Sequence, residues 1–404
     1  MRSEQEATIA RQEYGYGNIS AIAVTAAGKL LTADSLEDLP ITPDTRIIKN
    51  PPVDHAFSAP IKAYFDPTKI CPLGCDHCLA NIPAIKAERV HVPSMKPEQV
   101  KQVSREIIET GILETKLSGG EPFVYKPFWD AVDMLGEAGV SISTSTSGVT
   151  LSNEKLLPQN EIDLLVKHNV KISLSVDGES DYHDRLRKKA GLLQDVLSAG
   201  LERLLNHGIS RSKIEFRSTV LHTEESFAQL DYLDQLAKQF QLKTRIRLAR
   251  PAGAATLNDV AVIQRDDLTF QIMRKLRKMS QENKFINVEE IIKYDELAAM
   301  QAGLDCGAGT RSIYINPEGE LSACTFLDKF FTQSHNLFTD GRPMLEIWQS
   351  GEAFMAIRQY YEAQNAESTC AKCNFVHACQ GGCPAVKLSL NMAVSPLCPK
   401  EILK

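Results

Sequence analysis

Between Cys78 and Cys306 the chain has no cysteine at all, although it carries ten in total. It also lacks any uninterrupted apolar run of about 18 residues, the length a membrane-spanning helix needs. Its first residues, MRSEQEATIARQEYGYG, have no apolar core of the kind a secretory signal requires. Charge of one sign is scarce. The formal net charge is -6, with Lys and Arg interspersed among Asp and Glu. That excludes a nucleic-acid binder that depends on a broad positive surface. With neither span nor signal, a cytoplasmic location is expected. In that reducing compartment, cysteines in clusters read as metal ligands rather than disulfides.

The chain has 404 residues and is 43% hydrophobic, enough for one large core and a smaller domain. Residues 1–58 form an N-terminal extension. ISAIAVTAAGKLLTADS reads as a hairpin with Gly28 at its turn, and PITPDTRIIKNPPVDHAFSAP as a proline-rich linker. From residue 59 to 255, strand and helix patterns alternate six times. IKAYFD, TKLS, VSISTSTS, VKISLSVD, KIEFRSTVL and KTRIRLA are the strands. KPEQVKQVSREIIETG shows the helical spacing most clearly, with Val100, Val103, Ile107 and Ile108 on one face, and GLLQDVLSAGLERLLNHG reads as one long helix. This rhythm predicts an α/β fold, a partial (β/α)6 TIM-like barrel of right-handed βαβ units. Residues 256–305 read as a helical connector, and 306–404 as a small cysteine-rich domain. In βα folds, chemistry sits at the C-terminal ends of strands. The first cysteine loop and the SGGEP, STSG and SVDG turns each follow a predicted strand.

KICPLGCDHCLA places Cys71, Cys75 and Cys78 in a C-x3-C-x2-C loop. Such a loop can wrap three thiolates around one cubane cluster and leave the fourth iron open. Clusters that only carry electrons are usually closed by four cysteines. Zinc is the competing occupant, but its structural sites prefer paired C-x2-C knuckles and four ligands.

With this loop after the first strand, residues 60–255 resemble the radical S-adenosylmethionine (SAM) superfamily. The resemblance implies that Cys71, Cys75 and Cys78 ligate a SAM-binding [4Fe–4S] cluster and serve catalysis. Ser118-Gly119-Gly120-Glu121-Pro122 matches the family's glycine-rich turn, which meets the methionyl amino group of SAM. Glycines allow close backbone approach, and a carboxylate suits an ammonium. Ser175-Val176-Asp177-Gly178 resembles the fourth-strand motif that holds the ribose and amino group, and Arg217 a residue near the SAM carboxylate. Arg250-Pro251-Ala252-Gly253-Ala254 resembles the loop near the adenine. Ser147 departs from the pattern, because many members carry Asn there. The implied chemistry is reductive cleavage of SAM to a 5′-deoxyadenosyl radical, which abstracts hydrogen from a substrate C–H bond.

The late cysteines are Cys306, Cys324, Cys370, Cys373, Cys379, Cys383 and Cys398, with Gly319 five residues before Cys324. The spacing resembles the SPASM domain, a C-terminal extension of one branch of these enzymes. The resemblance assigns Cys370, Cys373, Cys379 and Cys398 to an outer auxiliary cluster, and Cys306, Cys324 and Cys383 to an inner one. That makes three iron–sulfur clusters in all. Two structural zinc sites are the alternative, but seven is an awkward number for two closed tetrahedral sites. Two closed cubanes need eight cysteines, and residues 299–305 supply none. The inner cluster therefore has an open iron, a substrate ligand, or a non-cysteine ligand such as Asp305.

SPASM-bearing relatives mostly modify peptides or proteins, so a peptide or protein substrate is expected, with a flavodoxin- or ferredoxin-type electron donor. Arg217-Ser218-Thr219 resembles a strand motif of several peptide-modifying members. Thr325 stands where sulfatase-activating members carry an acidic residue, which argues against formylglycine formation. About 58 residues precede the barrel without a three-helix pattern, so leader recognition is vestigial, supplied by a partner or absent. A small-molecule dehydrogenase of the same fold and a non-catalytic iron–sulfur carrier are the alternatives. Among acid–base candidates, His183-Asp184-Arg185 reads chiefly as a solvated helix start. Tyr314 and His377 are further candidates.

Overall fold

Each barrel strand alternates polar and apolar residues, and the alternation decides how the sheet packs. The computed structural model describes residues 59–80, 91–257, 262–288, 307–327, 330, 335–367, 372 and 381–398, and the backbone of short strands before residue 51. The main strands are β1 (Lys62–Phe65), β2 (Glu114–Leu117), β3 (Ser141–Thr146), β4 (Lys171–Ser175), β5 (Ile214–Val220) and β6 (Lys243–Leu248). Neighbours in sequence are neighbours in the sheet, and all are parallel. The six expected βα units thus lie side by side, as right-handed crossovers require.

One face of these strands carries Ala63, Phe65, Leu117, Ile142, Ile172, Leu174, Phe216 and Ile246, each at most 3% exposed. They share one core with residues from the covering helices, among them α1 (Pro97–Glu109), α2 (Pro127–Glu137), α3 (Gln159–Lys167) and α7 (Glu224–Phe240). Val100, Val103 and Ile107 of α1 are fully buried, and Ile108 packs partly buried against the same core. Between α3 and α7, α4 spans Ser180–Arg187. The long helix expected over 191–208 forms, with one π turn inside it. α5 (Leu192–Asp195) and α6 (Leu201–Asn206) flank a π turn, Val196–Gly200. A Cβ on Gly200 would stand 3.0 Å from that of Leu151, so the turn sits where a side chain would crowd the core.

The region expected to be a helical connector holds a strand. After α8 (Ala254–Leu257) and α9 (Asp267–Glu282), β7 (Ile286–Val288) pairs parallel with β6. The Asn283 side chain accepts from the Phe285 N–H at 3.0 Å and donates to Asp234, which ends the helix. Ile286 and Val288 are then buried at the sheet edge.

The sheet also continues past the cysteine-poor half. β8 (Ser312–Ile315) pairs parallel with β1 on the side away from β2. β9 (Glu320–Ser322) and β10 (His335–Asn336) follow antiparallel. The C-terminal region is therefore built onto the barrel's own sheet. α10 (Met344–Ser350), α11 (Glu352–Glu367) and α12 (Pro384–Ser389) complete its described helices. Ahead of the barrel, Ala21–Thr25 pairs antiparallel with Leu30–Ala33 and Thr45–Ile47, and Gly28 lies outside the described residues. No described helix is long and apolar enough to cross a membrane.

Candidate functional site

The C-terminal end of β1 runs into the loop that carries Cys71, Cys75 and Cys78, and the chain grips this loop from three sides. On one side lies the glycine turn after β2. Gly120 N–H donates to Thr68 O and Glu121 N–H to Ile70 O, both at 2.8 Å. A Cβ on Gly119 or Gly120 would collide with the Thr68 or Ile70 carbonyl, and Gly119 has φ +120. Only glycine permits that approach. On a second side, the loop after β6 passes so close that a Cβ on Gly253 would strike the Cys78 and Leu79 carbonyls. Ala254 N–H donates to Cys78 O at 2.8 Å. On the third side, the C-terminal end of α4 offers carbonyls: Leu186 O accepts from Asp76 N–H at 3.1 Å and Arg187 O from Cys75 Sγ at 4.0 Å.

Glu121 and Asp177 are both buried, and each is hydrogen-bonded through both carboxylate oxygens. The Glu121 carboxylate accepts from Thr146 Oγ1 at 2.6 Å, Ser147 N at 2.8 Å and Ser147 Oγ at 2.5 Å. Burial raises its pKa, and these hydrogen bonds oppose the rise. Ser147, the departure from the family pattern, thus ties the third strand's turn to the second's. Asp177 accepts from Thr219 N–H at 3.1 Å and from Arg187 Nε at 2.7 Å. Burial alone would raise the Asp177 pKa, but the Arg187 guanidinium holds it well below the ordinary carboxylate range.

His183 is wholly buried in the middle of α4, and its Nδ1 accepts from the Asp177 N–H at 3.1 Å. A solvated helix start fits only part of the His183-Asp184-Arg185 trio. Arg185 is exposed and pairs with Glu225, while Asp184 accepts from Gly191 N–H and Leu193 N–H ahead of the next helix. Sequence reasoning missed Arg187 altogether. Its signal is the spacing: it follows His183 by four residues, so one helix face carries both.

The sheet face away from the helices is polar. Lys62, Tyr64, Asp66, Lys116, Ser143, Ser145, Arg217, Arg245 and Arg247 on it are partly accessible. Ser175, the last residue of β4, is paired in register with Arg217 in the middle of β5, and Arg245 lies beside Arg217 on β6. Deeper, Glu215 joins Lys171 at 2.6 Å, Ser173 at 2.7 Å and Arg245 at 3.5 Å. At the β1 end, Tyr314 OH of β8 donates to Asp66 Oδ2 at 3.0 Å, and burial lifts the Asp66 pKa to about 6.

The early cysteines fit an iron–sulfur cluster. All three are unpaired by disulfides. Burial pushes the Cys71 thiol up to about 12 and the Cys75 thiol up to about 11, so they become thiolates at neutral pH only with a metal to stabilise the charge. Among the described residues, the one group with three or more ligand atoms within 4.8 Å of one another is Asp133, Glu137 and His168. The three cysteine sulfurs are therefore spread wider than around a single zinc ion, where tetrahedral ligands stand about 3.8 Å apart. The Asp133 group is an ion-pair network instead, with Lys167 Nζ at 3.1 Å from Asp133 and 2.5 Å from Glu137.

Of the late cysteines, Cys324 follows β9, Cys383 sits at the N-cap of α12, and the Cys398 N–H donates to Ser395 O at 3.0 Å. A Cβ on Gly382 would meet the Ser395 side chain at 2.5 Å, so the segments bearing Cys383 and Cys398 pack together. Gly319, with φ +84, turns β8 into β9. Cys306, Cys370, Cys373, Cys379, Asp305 and His377 lie outside the described residues.

Comparison with known proteins agrees with this geometry. Residues 65–233 match the radical SAM superfamily, and residues 306–374 match SPASM, an iron–sulfur cluster-binding domain. The mycofactocin maturase MftC of Mycolicibacterium smegmatis is 28% identical over 86% of this chain and 83% of its own length. The PqqA peptide cyclase of Rhodopseudomonas palustris is 24% identical over 87% of this chain and 89% of its own. In fold, the chain resembles Streptococcus suis SuiB, in a crystal structure bound to the precursor peptide SuiA. The TM-score is 0.64 at 15% identity, over 86% of this chain and 77% of SuiB. The chain is an enzyme whose cofactors are S-adenosylmethionine and [4Fe–4S] clusters; it belongs to the radical SAM superfamily and carries a SPASM domain in its C-terminal part.

Proposed function

We propose that the protein is a cytoplasmic radical SAM maturase that modifies a ribosomal peptide or protein by crosslinking, epimerisation or oxidation. In this reading Cys71, Cys75 and Cys78 hold the SAM-binding cluster. Cys370, Cys373, Cys379 and Cys398 hold an outer auxiliary cluster, and Cys306, Cys324 and Cys383 an inner one. Its last iron takes Asp305, substrate or no protein ligand. When bound, the first cluster and SAM supply a 5′-deoxyadenosyl radical that removes hydrogen from a substrate C–H bond.

The chain's own residues hold the cluster loop and line the face beside it. The loop of residues 71–78 is held by the glycine turn, the post-β6 loop and α4. Gly119 and Gly120 keep the backbone beside the cluster loop free of side chains, and Glu121 fixes the turn after β3. Ser175 and Arg217, adjacent on the polar face, would in this reading receive polar groups of SAM. The rest of that face is lined with groups that suit a peptide's amides and charges.

The observation that carries this reading is three cysteines, none in a disulfide, in one clamped loop at the strand ends. A peptide substrate is supported by the cyclase relative, whose name states a peptide, and by the fold shared with SuiB. A flavodoxin or ferredoxin is the class of protein that would deliver the electron.

The test is anaerobic reconstitution followed by reduction with dithionite in the presence of SAM. Wild-type protein should form 5′-deoxyadenosine and methionine, and the triple Cys71→Ala, Cys75→Ala, Cys78→Ala variant should form less than a hundredth as much. Equal product from both, or zinc in place of iron and sulfide, would sink the reading. Mass spectrometry of small peptides encoded beside the gene, co-expressed with the enzyme, tests the substrate class.

A further inference from the structure

The motif after β4 is read above as a SAM contact, yet both oxygens of Asp177 already have partners within the protein. Its side chain is 0% exposed, and both oxygens are committed, Oδ1 to the Thr219 N–H and Oδ2 to Arg187 Nε. Arg187 is itself buried, at 8% exposure, and is the last residue of α4. Its backbone carbonyl receives the Cys75 thiol, and the carbonyl before it receives the Asp76 N–H. His77, between Cys75 and Cys78, places Nε2 3.9 Å from Asp177 Oδ2 on the loop side. His183 closes the other side through the Asp177 N–H. Lys188 turns the chain out of the helix at φ 58, and its ammonium reaches Asp76 at 2.6 Å.

We propose that the Asp177–Arg187 pair is a positioning device for the SAM-cluster loop: it pins the end of α4 to the ends of β4 and β5, so that the Leu186 carbonyl and Lys188 hold Asp76, next to Cys75, in place. The inference rests on the reading of Cys71, Cys75 and Cys78 as cluster ligands.

Stability does not explain the pair. Burying two charges costs desolvation, and an apolar pair of similar volume is often as stable or more so. A hydrogen-bonded charge pair does fix one geometry, which a packed apolar pair does less well. Here the fixed geometry is that of a loop whose thiolates must face a shared centre. The pair also keeps a guanidinium beside the loop, on the residue whose carbonyl oxygen lies 4.0 Å from Cys75 Sγ. A nearby cation favours the more negative, reduced state of any cluster held there.

The experiment uses full-length protein, reconstituted anaerobically, as wild type, Arg187→Gln and the double variant Asp177→Asn with Arg187→Gln. The readouts are iron and sulfide content, the EPR signal of reduced protein with and without SAM, and the midpoint potential of the SAM-responsive signal. For Arg187→Gln, the SAM-responsive signal should fall at least fivefold while the auxiliary-cluster signals stay within a tenth of wild type. The double variant leaves no lone buried charge. It should fold and keep the auxiliary-cluster signals, while its SAM-responsive signal stays at least threefold below wild type at a more negative midpoint potential.

Loss of all signals in Arg187→Gln together with this behaviour of the double variant still supports the proposal. A SAM-responsive signal of wild-type size and potential in the double variant, or in a folded Arg187→Gln, overturns it. If wild-type protein gives no SAM-responsive signal, the reading of the cysteine loop fails first, and the brace falls with it.

Discussion

The two faces of the barrel sheet obey different rules, although the same strands make both. The helix-facing side is mostly apolar and closed to water, its polar groups being small buried ones such as Thr115, Thr144 and Ser218. Phe65, Leu117, Ile172 and Phe216 are all 0% exposed. The other side is a mesh of Lys, Arg, Ser, Asp and Glu, partly accessible and joined across strands. In most parallel sheets both faces are covered, and the strands read as continuous apolar runs. Here KISLS, IEFRSTV and KTRIRL alternate. One face supplies the stability, and the other gives up packing so that reactants and water can reach a polar floor.

If that division holds, truncation on the two faces should differ in kind. Phe216 lies in the core with its ring 5.7 Å from Phe240, edge on. Phe216→Ala should lower stability by about 3–5 kcal/mol through lost burial and an unfilled cavity. Thermal melting under anaerobic conditions checks this. The folded fraction should retain SAM cleavage within about twofold.

The polar face should instead show opposite pH dependences at two depths. Burial lifts the Asp66 pKa to about 6 against the Tyr314 hydroxyl bond and the charges of Lys116 and Lys69. A carboxyl raised on folding contributes stability below its unfolded pKa and loses it as pH climbs through the folded value. Asp66→Asn should therefore melt like wild type near pH 4. Above about pH 7 it should be the more stable protein, by up to about 3 kcal/mol. Equal stabilities at pH 8 would mean that water reaches Asp66 well enough to cancel the raised pKa.

Glu215 runs the other way. Its pKa is lowered, because Arg245 and Lys171 outweigh its desolvation. Its stabilising contribution is present above the unfolded glutamate range and is lost as pH falls through the lower folded value. Glu215→Gln should cost about 1–2 kcal/mol at pH 7, less than a fully buried pair, since Lys171 is 36% exposed. The difference should vanish in acid. Melting curves of both variants between pH 4 and 8 separate the two signs.

What the residues revealed in advance follows from range. The cysteine loop and its glycine turn are contiguous motifs, and six βα units follow from local periodicity. β7 was hidden because a strand of three residues carries no period of its own and sits behind a long helix. The Tyr314–Asp66 bond joins residues 248 apart, through a pairing of β8 with β1 that no local pattern announces. Asp177 was legible as a site residue, but its partner Arg187 was not, because their meeting depends on where α4 ends. The polar face itself was written in the alternation of six strands. Reading that period as a solvated cavity requires knowing first that helices cover only one side.

The finest test lies at the opposite, N-terminal end of the strands, where the polar face meets bulk water. Lys62 and Glu114 are paired in register on β1 and β2, with Nζ 3.3 Å from Oε2, and their side chains are 34% and 41% exposed. Lys62 also stands 5.4 Å from the Tyr64 ring centroid. At such exposure water screens the charges, and holding two long side chains in place offsets much of the attraction. A double-mutant cycle of Lys62→Met and Glu114→Gln should give a coupling of about 0.2–1 kcal/mol that shrinks further in high salt. A coupling well above this, insensitive to salt, would mean that the polar face is shielded along its whole depth, and that its difference from the apolar face is one of composition alone.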